Sequence, residues 1–256
     1  MKKRKRQKKY QTVFTPTPGR VGWIILLLLF LVGIHKGTSY LMNKTRLFRL
    51  EAVKITGNEY LPAGMIRGAI DIQTGVPLSS VNIHGIEHRL LKIRYLKAVS
   101  VNISLPASLL IDVRERKPVL YLVDKSLYMV DKEGLMLKKM EKMPLANIPL
   151  VTGLGVNSLL KNRKPLLRAL DLLQKIHKVD ASLVPLISEF HLKKNKWPEI
   201  YLVRGGAHVR LGSDHHYERI YRLSQFLKNT DTLKHLSDIK AIDLTFKDRV
   251  ILQKKS

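Results

Sequence analysis

Val99-Ser-Val-Asn-Ile-Ser-Leu-Pro-Ala-Ser-Leu-Leu-Ile-Asp-Val-Arg114 holds the clearest two-residue alternation in the chain. Val99, Val101, Ile103 and Leu105 fall on one side, and Ser100, Asn102 and Ser104 on the other. A strand with one buried face requires this pattern. Pro106-Ala-Ser108 turns the chain. Leu109, Ile111 and Val113 then alternate with Asp112 and Arg114, so the two runs read as a hairpin with a short loop.

Upstream the period lengthens. Val81, Ile86, Leu90, Leu91 and Ile93 share one face at helical spacing, with Ser79 or Ser80 available as the cap. Gly75-Val-Pro77 separates that helix from a shorter one that Pro62 opens and Ile70 closes. Before it, Arg49 to Thr56 alternates through Val53 and Ile55 and stops at Gly57-Asn58, a first strand. The order is strand, helix, helix, strand, strand, ending near Glu115.

A second unit follows downstream. Val119–Val123 and Leu127–Val130 read as short strands. Asp131-Lys-Glu-Gly134 is the turn after them, with a glycine suited to positive φ, and Leu135–Leu137 continues beyond it. Ile148-Pro-Leu-Val151 leads into Thr152-Gly-Leu-Gly155, then a leucine-rich helix from about Ser158 to Lys178. Ile187–Leu192, Glu199–Val203 and His208–Leu211 read as strands, with Gly205-Gly206 turning between the last two. Tyr217–Leu227 reads as a second helix. Ile239–Phe246, a Lys247-Asp248 turn and Arg249–Gln253 make a final hairpin. Ile242, Leu244 and Phe246 share one face of it; Val250 and Leu252 share one in its last strand.

The amino-terminal forty residues differ in kind. Met1-Lys-Lys-Arg-Lys-Arg-Gln-Lys-Lys9 is basic and acid-free, and Val21 to Ile34 carries no charge. A membrane helix needs about 20 mostly apolar residues. Extension to Met42 reaches that length by including His35 and Lys36, whose lysine can snorkel. Trp23 and Tyr40 suit the two interfaces. A cleaved signal peptide shares the basic start, but no small-x-small pattern follows Ile34, so an uncleaved anchor is expected. Cations stay on the cytoplasmic side, which puts the carboxyl-terminal part outside.

The net charge is +26. Nine cations and no acid lie in residues 1–42, leaving 37 Lys and Arg against 20 Asp and Glu on the remainder. The basic excess therefore lies on both sides of the expected span. In the tail it serves topology and attraction to anionic lipid; outside, it suits acidic partners. Cysteine is absent, which excludes disulfides, thiol nucleophiles and thiolate metal sites.

Catalytic and metal patterns are weak. His84 and His88 are four apart, but the glutamate sits at 87, outside the His-Glu-x-x-His arrangement. His208, His215 and His216 surround Asp214 and read as loop polar residues beside a helix cap at Ser213 or Asp214. Gly153-Leu-Gly155 lacks the remaining elements of a phosphate loop and reads as a strand-to-helix turn. Ser158-Leu-Leu-Lys161 stands without the partner motifs that Ser-x-x-Lys enzymes carry. No metal, cofactor, nucleic acid or catalysis is expected.

The layout resembles the FtsQ/DivIB family of bacterial division proteins. Val53-Lys-Ile-Thr-Gly-Asn58 is similar to the opening strand and turn of a POTRA module, and Ser104 to Val119 to its closing hairpin and the junction beyond. Tyr128-Met-Val-Asp-Lys-Glu-Gly-Leu135, Ile148-Pro-Leu-Val-Thr-Gly153 and Ile242-Asp-Leu-Thr-Phe246 resemble landmarks of the family's β-domain. The chain departs from the family at Thr245, where arginine is common, and at Lys247-Asp248, where glycine is usual.

The resemblance implies an α+β architecture: a basic cytoplasmic tail over 1–20, a single transmembrane helix over 21–42, a POTRA domain over 43–116 and a mixed β-rich domain with two helices over 117–256. It implies a non-catalytic, single-pass inner-membrane protein of the division septum, with its carboxyl-terminal domain in the periplasm. Its partners would be division proteins of the FtsB and FtsL type at the terminal strand, and upstream division proteins at the POTRA domain. The last strand ends the sequence, and an unpaired strand edge is a template for an incoming strand. Asp243, Leu244, Phe246, Arg249, Val250, Ile251 and Leu252 are the expected partner-binding residues. The alternative is a POTRA-bearing secretion or outer-membrane assembly factor; such factors carry a barrel or several POTRA repeats, and neither is visible here. A membrane-anchored wall hydrolase would need a catalytic pair that the sequence does not offer.

Overall fold

A computed structural model describes residues 18–44, 48–203, 205–228, 235–246 and 249–255. The basic run over residues 2–9 and the Lys247-Asp248 turn lie outside the described residues. Helix α1 spans Pro18–Lys44, longer at both ends than the expected 21–42. Its apolar side chains project outward all round, with Trp23 77% and Leu29 66% exposed. Its described side chains run over 22–38 and at 40, so part of the expected span falls outside them. Among the described residues no helix is long and apolar enough to cross a membrane.

The N-terminal module has the expected element order. It comprises β1 (Ala52–Thr56), α2 (Ala63–Ile70), α3 (Ile83–Leu91), β2 (Leu96–Ser104) and β3 (Ser108–Glu115). β3 lies at the centre of the sheet, parallel to β1 and antiparallel to β2. The central strand is the one with the strictest alternation: Leu109, Ile111 and Val113 are buried beneath Ile66, Ile70, Ile86 and Leu90 of the helices. Gly57 ends β1 at φ +81°, where a Cβ would sit 2.0 Å from the Val113 carbonyl oxygen, so only glycine fits this turn. The inward face of β3 ends on a buried acid. The Glu115 carboxylate accepts from Tyr60 N at 3.0 Å and Leu61 N at 2.8 Å, which fixes the approach to α2. Ser79 and Ser80 do not cap α3: they lie in a 3-10 turn, and Asn82 takes the role, its Oδ1 accepting from Gly85 N at 2.8 Å.

The C-terminal module is one nine-stranded mixed sheet. Its strands are β4 (Leu120–Val123), β5 (Leu127–Val130), β6 (Met136–Lys138), β7 (Leu150–Thr152), β8 (Ile187–His191), β9 (Glu199–Leu202), β10 (His208–Arg210), β11 (Ile239–Asp243) and β12 (Ile251–Lys254). The order across the sheet is β12-β11-β10-β9-β8-β7-β4-β5-β6. Among the described residues one face carries three helices, not the two expected. The run expected over 158–178 divides into α4 (Val156–Lys161) and α5 (Lys164–Asp180). Pro165 explains the break: it lacks an N–H, and its ring would strike the carbonyl of Lys161 in a continuous helix. The residue is tolerated because it falls in the first turn of α5. α6 (His216–Lys228) completes the layer. Leu172, Ile176, Ile220 and Leu223 from the helices bury Val151, Phe190, Ile200, Val209 and Ile242 of the sheet. Asp180 links α5 to α6: it accepts from the hydroxyls of Ser182 and Ser224 and meets Lys228 at 3.0 Å, contacts that hold its carboxyl well below the usual range.

The two modules meet through the β5–β6 end of the large sheet. Tyr60 and Tyr95 pack against Tyr121, Met129 and Leu137, Met140 from beyond β6 packs on both cores, and the Tyr95 hydroxyl donates to Lys138 O at 2.8 Å. Arg116 carries the chain across; its Nη1 lies 2.6 Å from both Asp131 Oδ2 and Glu133 Oε2. The turn between β5 and β6 takes the expected form, with Gly134 at φ +76° and Asp131 Oδ1 accepting from Glu133 N and Leu135 N. Lys97, donating at 2.7 Å, and then Arg116 lower the Glu133 pKa from 4.5 to about 2. A depressed carboxylate contributes stability above its unfolded pKa and loses it as pH falls toward the folded value. Acid titration of thermal unfolding should therefore show a decline from about pH 4.5 to 2 that Glu133→Gln partly flattens. Glu133 is half exposed, so the effect is small.

Candidate functional site

The large sheet ends in two unlike edges. β6 lies beside the N-terminal module, and its Lys138 carbonyl is bound by Tyr95. β12 pairs only with β11 among the described strands, and all four of its residues are exposed. The pairing is antiparallel, with Asp243 opposite Ile251, Ile242 opposite Leu252 and a bulge between Ile239 and Ala241 on β11.

The ladder fixes which backbone groups face outward. Lys255 N donates to Asp238 O at 2.8 Å, so residue 255 faces β11. Orientation alternates along an antiparallel strand. Ile251 and Gln253 therefore spend their N–H and C=O groups on β11, while Leu252 and Lys254 turn theirs away from the sheet. Side chains alternate across the sheet's faces: Leu252 lies opposite buried Ile242, and Ile251 projects from the reverse face. Both are about two-fifths exposed.

Each end of the edge is pinned. At the carboxyl end Lys255 Nζ donates to Gly205 O at 2.7 Å. At the other end the chain leaves β11 through a turn in which Asp243 Oδ1 accepts from Thr245 N at 2.9 Å and from its hydroxyl at 2.6 Å. Two arginines of α6 hold the following carbonyls. Arg219 is buried; its Nη1 donates to Leu211 O at 2.5 Å and Asp214 O at 2.9 Å, and its Nη2 to Thr245 O at 3.1 Å. Arg222 Nη1 donates to Phe246 O at 2.9 Å. Arg219 also meets Asp214 Oδ1 at 2.7 Å, which keeps that carboxyl low despite the opposing cost of burial. Around this frame lie exposed Arg210, Lys240, Arg249, Lys254 and Lys255. Beside it lie the acids Asp243, bonded within its own turn and 4.0 Å from Arg210, and Asp238, whose carbonyl accepts from Lys255 N. The edge thus offers outward hydrogen-bond groups, exposed Leu252 and Ile251 on its two faces with exposed Phe246 beyond β11, and a basic rim.

The seven residues expected to bind a partner do not all reach the surface. Phe246, Arg249, Ile251 and Leu252 are exposed. Asp243 is half-buried. Leu244 is fully buried, and its N–H donates to Arg210 O at 3.0 Å, so its role is in the core. Val250 precedes β12 and packs against the core. The strand begins two residues later than expected, and β11 ends at Asp243 instead of running to Phe246.

The histidines are dispersed. His84 is exposed on α3 beside Glu87. His208 stacks on Tyr201 at 4.9 Å, and burial lowers its pKa despite Glu199 nearby. His216 is buried against Trp197, with Nε2 donating to Gly212 O at 3.1 Å, and burial lowers its pKa as well. α6 begins at His216, two residues beyond the expected cap. Among the described residues no group of three or more His, Asp or Glu is placed to hold a metal ion. Gly153 to Gly155 forms the turn from β7 to α4, whose first N–H, Val156, is taken by Asp124 at 2.9 Å. Ser158 and Lys161 lie exposed on α4.

Two family models match the chain. One, described as POTRA domain, FtsQ-type, covers residues 48–116; the other, described as Cell division protein FtsQ/DivIB, C-terminal, covers residues 120–245. β12 lies beyond the second match. Among similar proteins, Cell division protein FtsQ of Geobacter sp. (strain M21) is 27% identical over 218 residues, 84% of this chain and 79% of the relative. Cell division protein FtsQ of Streptomyces coelicolor is 33% identical over 129 residues, 50% of this chain and 49% of the relative. Cell division protein DivIB of Clostridium botulinum is 30% identical over 133 residues, 50% of this chain and 51% of the relative.

Proposed function

Because this chain belongs to the FtsQ/DivIB family of cell division proteins, we propose that it is a non-catalytic, single-pass scaffold of the division septum that captures a partner by β-strand addition at β12. The observation that carries this reading is the free edge itself: a pinned strand with outward-facing backbone groups and exposed Phe246, Ile251 and Leu252. An extended partner segment gains main-chain hydrogen bonds there, and its alternate side chains meet Leu252 on one face and Ile251 on the other. The basic rim favours an acidic segment. Arg249, Ile251 and Leu252 would touch it directly; Asp243 would shape the turn. Partners of the FtsB and FtsL type are the proposed owners of that segment.

α1 is the proposed anchor. A stretch apolar on every side, as over residues 22–34, suits a membrane or a large core, and no protein core covers this one among the described residues. Its 27 residues span about 40 Å, against about 30 Å of hydrocarbon. The basic tail over 1–20 would lie in the cytoplasm, the span over 21–42 in the inner membrane, and the modules over 43–116 and 117–256 in the periplasm. A scaffold so placed joins early and late division proteins by raising their effective concentration. The secretion alternative is not favoured, because the matched POTRA model is of the FtsQ type and a division-protein model covers the second module.

Co-purification of the division partners with the full chain and with a chain lacking residues 249–256 tests the reading. Loss of the partners from the shortened chain, with midcell localisation of a fluorescent fusion retained, is the expected result. Undiminished recovery would refute capture at β12.

A further inference from the structure

The tip of the β2–β3 hairpin is built into the corner at which the chain enters from α1. Glu51 N and Ala52 N donate to Ala107 O at 2.8 and 3.3 Å, and Ala52 pairs with Ser108. Leu50 N donates to Val76 O at 2.8 Å, and Arg49 Nη1 to Gly75 O at 3.0 Å, which completes the corner. From Lys44 at the end of α1 to Phe48 is four peptide steps of about 3.8 Å, so the corner stays within about 15 Å of the helix end. Within the tip, Ala107 is turned inward, whereas Leu105 is 69% and Ile103 36% exposed. From Lys44 to Arg49 the sequence supplies Lys44, Arg46 and Arg49 and no acid.

We propose that this hairpin tip is a second membrane contact. Leu105, with Ile103 behind it, enters the interfacial layer of the outer face of the bilayer, and Arg49 meets anionic phospholipid headgroups there. The proposal rests on α1 being the anchor. The bilayer is the favoured occupant because the short tether holds the tip against it permanently, so contact needs no further encounter. A cation beside an apolar tip matches the layering of that interface. The consequence is orientation. One helix leaves the N-terminal module free to swing; a second contact fixes its tilt, and with it the direction in which the β12 edge is presented.

The chain has no cysteine, so single cysteines can be labelled uniquely. Full chains carrying Leu105→Cys, Leu29→Cys or Lys125→Cys, each labelled with an environment-sensitive nitrobenzoxadiazole dye, would be reconstituted in vesicles of phosphatidylethanolamine and phosphatidylglycerol. Lys125 is exposed in the β4–β5 turn and serves as the aqueous reference. The label at 105 is expected to be blue-shifted and several-fold brighter than at 125, and to be quenched by headgroup-level lipid quenchers. If 105 matches 125 while 29 reports lipid, the tip contact is overturned and the anchor stands. If 29 is also aqueous, the anchor itself fails and the tip contact with it. Shielding at 105 that appears only as the protein-to-lipid ratio rises would assign the tip to a second copy and overturn the lipid reading. Equal signal in phosphatidylcholine alone would overturn the anionic headgroup role.

Discussion

Leu252→Pro is expected to lower capture of a partner strand by about 30-fold to several hundredfold while leaving the unfolding temperature of the two folded modules nearly unchanged. The reasoning is positional. Lys255 is bonded to Asp238 of the neighbouring segment, so alternation turns the N–H of Leu252 away from the sheet. A proline there removes a donor that the fold does not use. Edge strands tolerate proline when the missing N–H faces solvent. The incoming strand instead loses one hydrogen bond, keeps an unsatisfied carbonyl and meets a ring, a combined cost of about 2–4 kcal/mol. Ile251→Pro is the control. Its N–H faces β11 opposite Asp243, so that substitution should weaken both the hairpin and binding. Titration of the full chain in detergent with a labelled partner segment, together with thermal melts, separates the two. Unchanged affinity in Leu252→Pro would remove strand addition at β12 as the mode of recruitment.

What the sequence made legible follows from how strongly local patterns constrain the chain. The β2–β3 hairpin was readable because one face is buried and the other wet, which forces a period of two. Even so, Ile103 and Leu105 alternate correctly yet end up exposed: Leu105 lies in the turn beyond β2, and Ile103 stands near the end of an outer strand. Periodicity reports which side a residue faces, not whether anything lies there. The continuous apolar spacing from Leu159 to Ile176 concealed the division into α4 and α5, although Pro165 was the available signal. The sheet order could not be read, since parallel pairs such as β4 with β7 join segments with no shared local pattern. At the candidate edge the alternation in Ile242-Asp-Leu-Thr-Phe246 suggested one long strand. Asp243 instead bonds Thr245 and ends it, the competition a short acceptor side chain offers to a ladder. Arg219 and Arg222 were missed as supports of the edge. The signal for Arg219 was its place on the apolar face of α6, next to Ile220 and one turn before Leu223, where an arginine must find buried partners.

That arginine carries the largest expected effect on stability. Its guanidinium serves three carbonyls from two segments: Leu211 and Asp214 in the connection from β10 to α6, and Thr245 after β11. Five donors in a planar fork suit this task, and the carboxylate partner, Asp214, is 60% exposed, so it balances the charge only partly. Arg219→Met keeps most of the volume but leaves those carbonyls without their donor. Each buried acceptor left without its donor costs about 1–3 kcal/mol, so a loss of about 3–5 kcal/mol is expected for the three carbonyls together. Arg219→Lys should recover little of that, since a single ammonium cannot span acceptors arranged around a fork. The functional consequence lies in the exit from β11. Once Thr245 O is released, the exit keeps Asp243 on Thr245 and Arg222 on Phe246 but loses its buried anchor. Partner affinity should then fall even at temperatures where Arg219→Met remains folded. Thermal melts and partner titrations at low temperature measure the two effects. Normal affinity in a destabilised but folded Arg219→Met would mean that the free edge keeps its geometry without α6, and that the pinning of the exit is incidental to recruitment.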